Sequence, residues 1–75
     1  MSALTDRLVE AHAHAETRGY RTILTVCRNG IDVIVWDGVL HNSTVVTWID
    51  IETAVVNPLL AAIDKCIADV TRRRE

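Results

Sequence analysis

Apolar residues recur along this chain with two different periods. Between Ser2 and Gly19, Leu4, Leu8, Ala11 and Ala15 fall on one narrow face at helical spacing, with Val9 to one side. Ser2 suits the cap of such a helix, Asp6 its first turn, and Arg18 and Gly19 its end. Two of the four stripe residues are alanine, so this helix can lie close to a neighbour while contributing little buried area. From Tyr20 to Ile51 the pattern changes to short β-branched runs separated by turn residues, which predicts three strands.

The pivot of that region is Asn29-Gly30, between Tyr20–Arg28 and Ile31–Trp36. Asn-Gly is a strong signal for a two-residue hairpin loop, because both central residues of a type I′ turn need positive φ. Such a loop pairs Arg28 with Ile31, Val26 with Val33, and Leu24 with Val35. One face then carries Tyr20, Leu24, Val26, Ile31, Val33 and Val35. The other carries Ile23, Thr25, Cys27, Asp32, Ile34 and Trp36. The first is the more uniformly apolar and is assigned to the core.

The third strand is expected over Thr44–Ile51, with Val45, Thr47, Ile49 and Ile51 toward the core and Thr44, Val46, Trp48 and Asp50 away from it. A two-residue Asn42-Ser43 turn would put the wrong set inside, because loop length fixes parity. This assignment therefore requires an odd loop or a bulge at Asp37-Gly38.

Glu52–Asn57 fits either a strand extension or a turn of helix. Asn57-Pro58 then restarts a helix, with Asn as cap and Pro at the first helical position. Leu59, Ile63, Cys66, Ile67 and Val70 form its apolar stripe, and Arg72-Arg73-Arg74 place cations at its C-terminal end. The expectation is an α+β, two-layer α-β-β-β-α domain spanning residues 1–75. Its three-stranded antiparallel sheet carries both helices on one face.

Composition narrows the function classes. With 49% hydrophobic and 24% charged residues the chain is globular in type, but 75 residues support only a small core. Its apolar runs are too short to span a bilayer. A net charge of −2 gives no general attraction to nucleic acid or an anionic membrane. Cys27 and Cys66 form no CxxC pair, and no signal peptide is evident, so two reduced thiols in a cytoplasmic protein are expected.

Chemistry-bearing residues do not assemble into a motif. His12 and His14 are two apart on a helix and diverge, and His41 falls in an expected turn, so no zinc site is predicted. Nothing in the sequence brings a histidine to Cys27 as a base. Asp32, Asp37, Asp50 and Glu52 sit where strand ends and turns commonly carry acids. Asn42-Ser43-Thr44 matches a glycosylation sequon but is read as a turn. No catalytic residue, cofactor or metal is assigned.

Arg72, Arg73 and Arg74 form the one basic cluster and make nucleic acid the alternative partner. The α-β-β-β-α order resembles that of double-stranded-RNA-binding domains, which implies RNA contact through a lysine-rich start to the second helix. The matching positions here, Asn57, Pro58, Leu59 and Leu60, carry no cation. The resemblance extends to element order only.

The main functional clue is the surplus on the second sheet face, where Ile23, Ile34, Trp36, Val46 and Trp48 are expected together. Monomers seldom expose a contiguous apolar patch, and tryptophan is enriched at binding hot spots. With so little chain to fold over this face, a partner surface is preferred to a second core layer. The expected function is a non-enzymatic interaction module, a homodimer or a chain docking on a larger protein. In size and lack of catalytic motifs it is like small prokaryotic or phage inhibitors of larger assemblies.

Overall fold

The computed structural model describes residues 3–74. Its elements run α1 (Ala3–Thr17), β1 (Arg21–Val26), β2 (Gly30–Trp36), β3 (His41–Thr47), α2 (Trp48–Thr53) and α3 (Pro58–Arg74). The expected Ser2 cap lies outside the described residues. Helix α1 ends as its Arg-Gly sequence predicts. Gly19 adopts φ +82, its N–H reaches the Glu16 carbonyl, and the Tyr20 N–H reaches that of Ala15, both at 3.0 Å. This is a Schellman closure, which needs a residue tolerant of positive φ.

The strands form one antiparallel sheet in the order β1-β2-β3, with α1 packed on β1 and α3 beneath β2 and β3. Ile31, Val33 and Val35 of β2 are fully buried between the edge strands and against the helices. They meet Ala11 and Ala15 of α1 and Leu59, Ile63, Cys66 and Ile67 of α3. The α+β architecture with its antiparallel sheet is thus the one the sequence predicts, with α2 as an added short helix.

The first hairpin differs in its turn. Val26 pairs with Ile31 and Leu24 with Val33, so the register slips by two from the expected one. The Cys27 N–H bonds the Gly30 carbonyl at 2.7 Å, placing Arg28-Asn29 at the tip, and among the described residues no non-glycine residue has positive φ. A slip of two preserves parity, so the same residues share each face, although Val26, expected in the core, is 58% exposed at the hairpin end. Gly30 serves a different purpose from the one its Asn-Gly context suggests. It lies against β3, where a Cβ would come within 2.0 Å of the Val46 carbonyl oxygen.

The second hairpin overturns the third-strand assignment. Strand β3 begins at His41, and Trp36 pairs with His41, Val33 with Thr44, and Ile31 with Val46. The loop is the even-numbered Asp37–Leu40, and the ladder contains neither the odd loop nor the bulge that the assignment required. Asp37 closes the loop through its carboxylate, which accepts the Val39 and Leu40 N–H groups at 2.9 and 2.8 Å. Consequently Asn42, Thr44 and Val46 face the helices, while Val45 and Thr47 face away. The sequon residues lie in the strand rather than in a turn, and Asn42 donates to Asp69 at 2.9 Å.

Strand β3 also stops early. Thr47 caps α2 by accepting the Asp50 N–H at 3.3 Å, so residues 48–51 are helical rather than extended. Ile51 still enters the core, whereas Ile49 is exposed.

Candidate functional site

On the sheet face opposite α1 and α3, Ile23 of β1 lies directly across from Ile34 of β2, and Trp36 is two residues farther along the same strand. Val45 of β3 pairs with Asp32 and sits diagonally beside Ile34. Cross-strand and diagonal neighbours on one face are within side-chain reach, so these four residues form one patch. Ile23 is 56% exposed, Val45 51% and Trp36 39%, while Ile34 is half-buried in the centre. Arg21, Thr25, Asp32 and Ser43 surround them.

Two of the five residues expected on this patch are elsewhere. Val46 is only 6% exposed and belongs to the core, because the even loop reverses β3 parity. Trp48 opens α2, packs against the core, and donates its indole N–H to the Cys27 and Arg28 carbonyls at 3.1 and 2.9 Å. It braces the first hairpin from inside. Val45, expected in the core, takes a place on the open face instead.

The basic cluster is engaged by the protein's own acceptors. Arg72 meets Asp69 at 2.6 Å, Arg73 donates to the His41 carbonyl, and Arg74 meets Asp37 at 2.6 Å. The end of α3 is thereby fastened to the second hairpin. The Arg74 guanidinium, helped by the Val39 and Leu40 N–H groups, holds the Asp37 carboxyl down to about 2.

The remaining polar groups are dispersed. His14 and Arg18 both bind Asp64, at 2.7 and 2.8 Å, and the His14 bond is the main cause that lowers the Asp64 pKa. Cys27 lies 3.3 Å from Asp32, and that hydrogen bond raises its thiol pKa; burial raises that of Cys66. Neither thiol is poised as a thiolate. Asp37 and Asp50 lie at opposite ends of the sheet, each next to a different hairpin. Among the described residues, no group of three or more His, Cys, Asp or Glu side chains converges on a metal position.

One pairing had no signal in the sequence. His12 Nδ1 lies 2.5 Å from the Thr22 hydroxyl at a polar cleft that also includes Glu16, Tyr20 and Arg21. An imidazole beside a hydroxyl is the first half of an activated nucleophile, but the second half is a group that orients the ring. Among the described residues, no hydrogen bond joins Glu16 to His12. The pair ties α1 to β1.

Among the described residues, no helix is long and apolar enough to cross a membrane. In comparison with known proteins, the chain matches no family model, no curated protein and no solved structure.

Proposed function

We propose that this protein is a non-catalytic interaction module that docks on a larger protein through the open sheet face. The observation that supports this reading is the contiguous Ile23–Ile34–Trp36–Val45 patch, left bare while both long helices cover the other face. Exposed β-branched and tryptophan side chains on a rigid strand scaffold lose little conformational freedom on binding, which favours affinity.

Size favours a larger partner over a second copy stacked face to face. Three strands of this length offer roughly 300 Å² in projection, against about 800 Å² per partner for a stable specific interface. Two flat faces meet only over their own width. A larger protein can also enclose the Asp37–Leu40 loop, where Val39 is exposed. Nucleic acid is the weaker reading, because Arg72, Arg73 and Arg74 each already serve an internal acceptor.

The experiment is quantitative affinity capture in extract of the native host, comparing wild type with Ile23→Ser/Val45→Ser. The expected result is a protein that rebinds the purified wild-type chain and whose retention falls at least about tenfold with the variant. Unchanged retention, or salt-sensitive capture of nucleic acid in its place, would overturn the proposal.

A further inference from the structure

The apolar patch on the open sheet face lies between two opposite charges. Arg21 stands directly across from Trp36 at one end. Asp32 pairs with Thr25 on one side and Val45 on the other, four residues farther along β1 from Arg21. Strand rise separates the two charges by about 14 Å along the sheet. Ile23, Ile34 and Ser43 fill the row between them.

Among the described residues, neither charge has an ionic partner. Arg21 lines a cleft with Trp36 and Asp37, but the Asp37 carboxylate is already held by Arg74 and the loop N–H groups. Glu16 lines the adjoining cleft with Arg21 and forms no ion pair with it. Asp32 accepts the Cys27 thiol at 3.3 Å, and the exposed Arg28 at the hairpin tip forms no ion pair with it. An acid and a base thus remain uncompensated at the two ends of one apolar strip.

The dimensions of the face complete the description of what fits it. Its outer strands run about 10 Å apart, close to the 10–12 Å diameter of one α-helix. Strands of six and seven residues extend for about 20–24 Å, the length of a helix of about 14–16 residues. Such a helix projects about 240 Å², near the roughly 300 Å² of the face. It leaves the Asp37–Leu40 loop, with its exposed Val39, for the body of the partner.

We infer that the occupant of this face is an amphipathic helix of the partner, lying along the strands with an acidic side chain over Arg21 and a basic one over Asp32. The inference rests on the docking role proposed above and names the chemistry of the partner. Two helix residues eight apart are separated by a rise of about 12 Å and a turn of about 80°, which suits charges on the adjacent strands β1 and β2. Apolar residues of the same stripe then meet Ile23, Ile34 and Val45. With helices already on the other face, the sheet becomes the middle of three layers. The charges select among apolar helices, because a like charge at either end is repelled.

The test uses three synthetic amphipathic peptides that share one leucine stripe and carry Glu/Lys, Glu/Glu or Lys/Lys at positions eight apart. Fluorescence anisotropy at low salt measures their binding to the full chain. Wild type is expected to bind the Glu/Lys peptide about fivefold or more tighter than the other two. Arg21→Glu should shift the preference to Lys/Lys, and Asp32→Asn should remove the discrimination between Glu/Lys and Glu/Glu. Both variants are compared with wild type by circular dichroism, and Ile23→Ser/Val45→Ser should weaken all three peptides. No binding, equal binding of the three, or a ranking that Arg21→Glu leaves unchanged would overturn the inference. A wild-type mass of twice 8.4 kDa that falls to one chain in Ile23→Ser/Val45→Ser would make a second copy the occupant and overturn it as well. If the peptides fail while capture from extract still depends on Ile23 and Val45, the docking role stands and the helical occupant falls.

Discussion

Gly30 shows how the local sequence can mark a residue correctly and still suggest the wrong purpose for it. It has φ +155, and an added Cβ would lie 2.0 Å from the Val46 oxygen and 2.8 Å from the Thr47 Cα. Both are backbone atoms and cannot swing aside, so Gly30→Ala should cost about 3 kcal/mol or more in urea-monitored unfolding. The sequence marks this glycine clearly but points to the wrong reason, since Asn-Gly reads as a turn and nothing local reports a neighbouring strand. Asp37 gives a pH signature at the same scale. Its carboxyl is depressed to about 2 by Arg74 and two N–H groups. Its contribution is therefore full above the ordinary carboxylate value near 4 and is lost as pH falls through about 2. Asp37→Asn should remove that part of the acid sensitivity. An unchanged difference between unfolding midpoints at pH 5 and near pH 2.5 would contradict the assignment.

Among the elements, the α2–α3 junction depends most on a single side chain. Asn57 caps α3 and also bonds the backbone and Glu10 of α1. Asn57→Ala should lower stability by about 2–3 kcal/mol, combining a lost cap with acceptors left unpaired. Asn57→Asp keeps the cap but removes both donors and places a carboxylate beside Glu10. It should not rescue stability, and a near-wild-type unfolding midpoint would show that the interhelical bonds contribute little. The Asn-Pro signal made this helix start readable, as the leucine and isoleucine stripe made α3 readable. Strand β3 was not readable in the same way. Its core-facing residues Asn42 and Thr44 are polar, and adjacent Val45 and Val46 offer one valine to each parity. Ile49 and Ile51 then tip a strand reading toward the wrong side, although both lie in α2. The Asp37 carboxylate fixes the even loop, an interaction that turn residues do not advertise.

At the scale of the whole molecule, one face of the sheet is covered by the helices and the other is left open, and the sequence revealed that division better than the membership of each face. Parity along β1 and β2 placed Ile23, Ile34 and Trp36 together, and the structure keeps them so. Val46 and Trp48 moved inward for reasons of loop length and helix initiation, and Val45 moved outward. The smaller patch of four residues is the docking surface proposed here, and the buried β2 triplet beneath it carries the fold. The direct measurement is equilibrium unfolding of Ile23→Thr/Val45→Thr against Val33→Thr, all of which preserve β-branching. The open-face pair should stay within about 1 kcal/mol of wild type, whereas Val33→Thr, which buries a hydroxyl at 0% exposure, should lose about 2 kcal/mol or more. Equal losses would mean that the open face is a second core layer and would contradict its role as a docking surface.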